Sequence, residues 1–299
     1  MSAQTTASPL KIAVLGTGKI GSIFAFQLAC AGNHDVSVIA RPGSVRLQQL
    51  QRDDGIIDVN GKRARVRVID ALDEGTPYDL LIVTLLDHQA DAVLPSLQRS
   101  AAKCVQFMFN TFRPERLRDA VGVERSAFGM PFVRGLINSD GRLKAVIGSG
   151  QKTIMSEQRW VDLFNEAGIP ASHEPDMPLW LRCHVPMCVA FESVAVAGQR
   201  RGGGASWGKT LVLARGVHAS FGLIRMLGYP IYPKGKKRLD SFPTPVLAAI
   251  LWSLSRIRSF REVLATGESE CENLVESMVA AAPLAKQPVN VFHIQAMQP

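Results

Sequence analysis

Near the amino terminus three glycines, Gly16, Gly18 and Gly21, stand in the run GTGKIG, and glycines at that spacing suit one task well. The first permits a tight turn, the second lets the backbone approach a pyrophosphate, and the third lets a helix pack close to the strand before it. Thr17, Lys19 and Ile20 complete the run. A helix opening there offers unpaired N–H groups and a partial positive charge to phosphate oxygens. The motif is weak alone and strong between a strand and a helix. Residues 10–15 are almost continuously apolar, as a strand buried on both faces requires. Ile20, Ile23, Phe24 and Leu28 then recur at helical spacing, Gly32 stands where a helix cap belongs, and residues 36–40 read as a second strand. Together these predict a dinucleotide cradle.

The residue at the end of the second strand selects the cofactor. An NAD site usually carries Asp or Glu there, on the ribose 2′-hydroxyl, and this chain has Arg41 in VSVIARPG. A guanidinium suits a 2′-phosphate, so NADP(H) is the expected cofactor. Ligands of such sheets bind beyond the carboxyl ends of the strands, which directs Leu85 and Asn110 toward the cofactor.

The remaining pattern supplies the elements that position these residues. Residues 56–59, the Asn60-Gly61 turn and residues 65–69 read as a hairpin. Residues 78–85 and 104–110 read as buried strands with a helix at 89–100 between them, and 156–168 as a helix burying Trp160, Leu163, Phe164 and Ala167 before Gly168. Residues 170–178 contain three prolines and read as a link. Helices are expected at 185–197, 211–227, 246–260 and 268–282. The predicted fold is α/β: a Rossmann-type NADP-binding domain with a mainly parallel sheet over residues 1–173, then an all-helical substrate and catalytic domain over 174–299.

Composition narrows the function. The net charge is +8, but the basic residues are dispersed and aromatics make up only 7% of the chain, which argues against nucleic acid. The densest basic run, KGKKR at 234–238, reads as a solvated loop. The apolar runs at 80–86 and 185–198 are short of a membrane span, and the first nine residues read as a frayed soluble tail. Five cysteines without a CxxC pair suit reduced thiols in the cytoplasm. The six histidines show no metal-ligand spacing, and His184 beside Cys183 reads as packing, because helix neighbours point to different faces. GGASWGKT at 203–210 matches a P-loop pattern but follows an expected helix in a helical half, so it reads as a loop capping the next helix.

An NADP-binding α/β half followed by a helical half resembles the ketopantoate reductase family, and four further segments carry the resemblance along most of the chain. TLLDHQ at 84–89 is similar to the family's strand end, MFNTF at 108–112 to its Asn-containing turn, LWLRCHVPMC at 179–188 to the start of its catalytic helix, and GESECENL at 267–274 to its acidic helix. The resemblance implies an NADPH-dependent reductase of a 2-oxo acid, with the cleft between the domains as active site. In the family a helix lysine gives a proton to the 2-oxo group as hydride arrives from the nicotinamide, and an asparagine one turn later holds the substrate. The resemblance implies that Asn110 positions nicotinamide and substrate, and that Glu268 orients substrate or relays a proton.

The chain departs from the family at three places: Arg182 holds the lysine position, Pro186 the asparagine position, and Leu86 a position where many members carry a lysine. Arginine keeps its proton, so Arg182 is expected to bind a carboxylate or polarise a carbonyl rather than donate. Pro186 has no N–H, so the helix is expected to kink there or to start nearby. These departures predict weak activity on ketopantoate and preference for a less hydroxylated oxo acid. A non-catalytic NADP-binding protein that senses the cofactor is the alternative on the same scaffold. The expected partner is a small-molecule 2-oxo acid, with no nucleic acid and no membrane, and a homodimer is compatible with the sequence.

Overall fold

Short apolar runs without a polar face are satisfied only inside a sheet covered on both sides, and the amino-terminal part of the chain uses them in that way. In the computed structural model, residues 8–31, 34–148, 150–265 and 267–299 are described; Gly32, the expected cap, lies outside them. The chain runs through β1 (Lys11–Leu15), α1 (Lys19–Ala31), β2 (Asp35–Ile39), α2 (Val45–Arg52), β3 (Ile56–Ile57), β4 (Arg63–Ala64), β5 (Arg67–Ile69), β6 (Leu80–Val83), α3 (Asp87–Ala90), α4 (Leu94–Arg99), β7 (Val105–Met108) and α5 (Pro114–Val121). It continues through β8 (Ser126–Met130), β9 (Arg134–Ile137), β10 (Leu143–Val146), β11 (Thr153–Met155), α6 (Gln158–Glu166) and β12 (Ala171–His173).

Eight of these strands form one sheet in the order β12-β11-β8-β7-β6-β1-β2-β5. From β5 to β8 every pairing is parallel, and the pairing of β11 with β8 is antiparallel. The chain builds outward from β1 in both directions, through β2 and β5 on one side and β6, β7 and β8 on the other. That reversal opens a crevice at the carboxyl end of β1, where a ligand binds in sheets of this kind. α6 covers the sheet with Trp160, Val161, Leu163 and Phe164, and the Phe164 ring meets that of Phe24 edge-on with centroids 5.0 Å apart. Gly168, at φ +76°, ends the helix and lets Ile169 N–H return to the Phe164 carbonyl at 2.8 Å.

Several local expectations are corrected. Asp58 Oδ1 accepts the N–H groups of Asn60 and Lys62 at 2.9 and 2.8 Å, which closes the Asn60-Gly61 turn early. The second arm of the hairpin is therefore β4, and residues 67–69 are released to join β2 in the main sheet. The helix expected at 89–100 is two helices, with Pro95 in the first turn of α4, because proline ends one ladder and starts another easily. The proline-rich stretch 170–178 contains β12, held as Ala171 N–H donates to Asn165 Oδ1 at 2.9 Å.

The described helices beyond these are α7 (Met177–Arg200), α8 (Trp207–Met226), α9 (Lys234–Asp240), α10 (Thr244–Leu254), α11 (Arg258–Leu264), α12 (Glu268–Ala281) and α13 (Phe292–Gln295). The contacts divide the chain into one unit of Met1–Phe109 with Arg116–Met177 and another of Asn110–Glu115 with Pro178–Pro299. The second unit packs Val185, Val189 and Val194 of α7 with Leu213 and Phe221 of α8, Leu247 of α10 and Leu274 and Met278 of α12.

Pro186 neither starts nor ends α7; it lies inside the 24-residue helix, and the carbonyl four residues earlier loses its helical donor there. By length and composition α7 could cross a membrane. However, 78% of its most apolar window is buried inside the protein, the pattern of a core helix. The basic run at 234–238 is helical rather than a loop, because Lys236 turns inward while its neighbours stay exposed. In GGASWGKT, Ser206 caps α8 by accepting from Lys209 N–H at 3.2 Å, and Lys209 Nζ donates to the Gln298 carbonyl at 2.5 Å.

Candidate functional site

The first unit builds a cradle around its glycine turn. Gly16 adopts φ +100°, a conformation that side chains resist, and carries the chain from β1 into α1. The turn is fixed from behind, since Thr84 donates its hydroxyl to the Gly16 carbonyl at 2.6 Å and its N–H to the Leu15 carbonyl at 2.9 Å. A methyl group on Gly21 would stand 1.9 Å from the Gly16 carbonyl oxygen and 2.5 Å from Thr84 Oγ1, whereas one on Gly18 would meet nothing within 4 Å. Gly21 is thus required by packing. Gly18 leaves an open backbone face, which is what a pyrophosphate needs.

Gly21→Ala is accordingly expected to displace the turn, costing about 1–3 kcal/mol of stability. It should also abolish dinucleotide binding. Calorimetric titration and denaturant unfolding of the variant check both effects, and unchanged cofactor affinity would contradict them.

In front of the turn lies a cavity of about 1070 Å³ lined by Gly16, Thr17, Gly18, Arg41, Leu85 and the stretch 70–72 after β5. Lys19 is exposed at the start of α1, and Ile20 packs against the core instead of lining the cavity. Arg41 is exposed at the rim, and its guanidinium has no partner among the described residues.

Arg46, which the sequence reading missed, also lines this cavity. It donates to the Thr17 carbonyl, Ser22 Oγ and the Gly141 carbonyl at 3.3, 3.0 and 2.9 Å, tying the glycine turn to α1 and to the β9–β10 hairpin. Burial lowers its pKa, with Asp53 opposing. An arginine in a polar helix carries no sequence signal that would mark it for this role. The open Gly18 and the cavity volume fit a dinucleotide.

The second unit holds a row of polar side chains along one face of α7. Trp180, His184, Cys188 and Glu192 follow one another at four-residue intervals, a spacing that stacks side chains on one helix face. The His184 ring stacks on Trp180 at 4.4 Å and its Nε2 lies 3.3 Å from Cys188 Sγ. Cys188 donates in turn to Asn110 Oδ1 at 3.7 Å, and Asn110 Nδ2 donates to Glu270 Oε1 at 2.9 Å. Lys236 of α9 joins the row by donating to the Trp180 carbonyl at 2.9 Å, with Nζ 3.7 Å from the Trp180 ring centre.

Burial, with Lys236 adding to it, lowers His184 to about 3, and burial beside Glu192 and Glu270 raises Cys188 well above an ordinary thiol. The pair is therefore neutral imidazole and neutral thiol, which excludes the thiolate–imidazolium state of a cysteine nucleophile. Glu192 is raised to about 9 by burial first and Glu270 second.

Arg182 and Glu268 do not join Asn110. Arg182 is buried, donating from Nε to the Phe112 carbonyl at 3.1 Å, pairing with Glu115 and lying 3.9 Å from the centre of the Tyr229 ring. Glu268 pairs with Arg200 at the surface. The acidic residue that reaches Asn110 is Glu270, two positions later.

A glycine turn at the reversal point of a mainly parallel sheet is the place where doubly wound sheets of this kind bind ligands. Residues 12–157 match the model of the ketopantoate reductase PanE/ApbA family. The chain thus resembles that family over residues 12–157, a little under half of its length. Similar solved structures agree on the fold. The PanE/ApbA family ketopantoate reductase from Ralstonia eutropha JMP134 is 15% identical with a TM-score of 0.71, covering 97% of this chain and 96% of its own. The 2-dehydropantoate 2-reductase from Methylococcus capsulatus is 16% identical with a TM-score of 0.63, covering 97% and 94%. D-mandelate dehydrogenase in a ternary structure with NADH and anilino(oxo)acetate is 15% identical with a TM-score of 0.66, covering 97% and 96%. No curated protein matches the chain.

Proposed function

We propose that the chain is an NADPH-dependent reductase of a 2-oxo acid or a related small carbonyl compound. The observation that carries the reading is the cradle, where Gly18 is open to a pyrophosphate and Arg41 has an uncommitted guanidinium at the end of β2. When bound, the cofactor supplies the hydride. The first turn of α1 would bind its pyrophosphate, Arg41 its 2′-phosphate, and Arg46 would hold the turn in shape. Asn110, fixed by Glu270 on one side and by the Cys188 thiol on the other, is oriented to present its amide to a substrate. Lys236 is the cation of this cluster and would attract the carboxylate of an oxo acid. Arg182 and Glu268, engaged with Glu115 and Arg200, serve this reading as framework. Anilino(oxo)acetate, bound to the structurally similar D-mandelate dehydrogenase, is itself a 2-oxo carboxylate, which supports that substrate class.

The test is calorimetry with NADPH and NADH, followed by NADPH oxidation with ketopantoate and a panel of aliphatic and aromatic 2-oxo acids. NADPH should bind more tightly than NADH. Arg41→Ala should lose about 1.5–3 kcal/mol toward NADPH, one to two decades of affinity, and little toward NADH. Equal affinity for the two cofactors in the parent protein would refute the assignment of Arg41. Turnover of panel acids above ketopantoate is expected, and tight NADPH binding with no turnover would favour cofactor sensing.

A further inference from the structure

We propose that Glu192 is the residue that gives the proton to the substrate's carbonyl oxygen during reduction. The inference rests on the oxo-acid reductase reading above and deepens it. Glu192 is only 8% exposed, and its Oε2 has no hydrogen-bond partner among the described residues. Leaving a buried polar atom unpaired costs free energy, so it persists where a ligand completes it. The carboxyl group has room because α12 begins at a glycine: a methyl group on Gly267 would come within 2.8 Å of the Glu192 carboxyl carbon. It stands one helical turn beyond Cys188, which contacts Asn110, and its charge is felt at Cys188. It therefore belongs to the Asn110 cluster.

The other candidate donors are committed or unsuited. Arg182 is engaged by Phe112, Glu115 and Tyr229, and Lys236 donates to the Trp180 carbonyl. His184 is lowered to about 3, so at neutral pH it carries no imidazolium proton, and Cys188 is a thiol too weakly acidic to donate readily. The charged group that acts on Glu192 is the acid Glu270 of α12, which opposes its ionisation. The nearest cations act on its neighbours, Lys236 on Cys188 and Lys209 on Cys271. The amino terminus of α12 favours the charged carboxylate, but by about 1 kcal/mol or less, which is smaller than the burial that opposes it. Glu192 thus reaches neutral pH with a proton, at about 9.

The step balances. Hydride from the reduced nicotinamide adds to the carbonyl carbon, the carbonyl π pair moves to oxygen, and that oxygen takes the Glu192 proton. Products are the 2-hydroxy acid, the oxidised nicotinamide and the Glu192 carboxylate, which regains a proton from water.

Two measurements test this on the parent protein, Glu192→Gln and Glu192→Asp. The first is infrared absorption of the cofactor-free protein at pH 7, where a protonated carboxyl signal should be present in the parent and absent in Glu192→Gln. The second is the pH profile of kcat for the best 2-oxo acid of the panel. The parent should lose activity as pH rises through about 9. Glu192→Gln should fall by about 10²- to 10⁴-fold and lose that alkaline limb, with KM changing far less. Glu192→Asp should recover part of kcat. Absence of the carboxyl signal, or a Glu192→Gln variant with the parent's kcat and pH profile, overturns the proposal. If the parent reduces no oxo acid, the function and the donor role both fall. The infrared signal, read without cofactor or substrate, then tells whether the carboxyl was protonated or the proposal failed by itself.

Discussion

Arg182→Ala is expected to destabilise the second unit by about 2–4 kcal/mol. Removing one partner of a buried ion pair costs ~3–5 kcal/mol because the other charge is left uncompensated. Here Glu115 keeps 32% of its side-chain surface in solvent, so water relieves part of that cost. The Phe112 carbonyl gives back some of the difference, since its donor is buried with Arg182 and an unpaired buried acceptor costs ~1–3 kcal/mol. Arg182→Lys should recover little, because one ammonium cannot serve the carbonyl, the carboxylate and the Tyr229 face together. Urea unfolding with the slope held constant measures the change. A variant as stable as the parent yet devoid of reductase activity would return Arg182 to the chemistry and remove it from the framework.

How far the site could be read from sequence depended on whether the signal was local. The cradle needs only a strand, a turn and a helix, and Gly16, Gly18 and Gly21 announce all three within a dozen residues. The polar row on α7 is present in the sequence only as a four-residue spacing, with no residue type that marks it. Trp180, His184, Cys188 and Glu192 lie four apart, while Arg182 is about half a turn out of phase with them. The resemblance of LWLRCHVPMC to a family helix points to Arg182, while the phase of α7 turns Arg182 away from the row.

The acidic helix repeats the lesson. Cys271, Leu274, Val275 and Met278 are the buried positions of α12, and Glu270, four before Leu274, shares their side of the helix. Glu268 is in register with Glu272 on the exposed side, where Arg200 meets it. Lys236 and Arg46 are another matter, because nothing in KGKKR or SVRLQQL separates the inward cation from its solvated neighbours. Partners distant in sequence select them, the Trp180 carbonyl and ring for Lys236 and Thr17, Ser22 and Gly141 for Arg46.

The paired burial of an acid and a base in the α7 row should also shape the stability of the protein against pH. Glu192 rises from 4.5 to about 9 on folding, so the unfolded chain releases its proton first. Its contribution to stability is complete below pH 4.5 and declines as pH climbs toward 9. His184 falls from 6.5 to about 3, so the unfolded chain takes up a proton first, and that contribution declines as pH drops from 6.5 toward 3. Between 4.5 and 6.5 the two slopes oppose and nearly cancel, so this pair adds little net slope there, and the acid-side decline left is that of His34, lowered by burial. Above 6.5 only Glu192 acts, and up to ~3 kcal/mol should be lost by pH 9.

Glu192→Gln removes a titration without removing the shape of the side chain. Its stability should be flat from pH 6.5 to 9, and it should exceed the parent at the alkaline end. Below 6.5 the variant should instead fall with pH, because the His184 slope is no longer opposed. His184→Gln should show the mirror image, steady in acid and declining from pH 4.5 upward. Urea midpoints for the three proteins at unit pH intervals measure these slopes. A parent and a Glu192→Gln variant whose midpoints run parallel between pH 6.5 and 9 would show that Glu192 folds as a carboxylate, and the charge that burial opposes would then need a cation from a ligand.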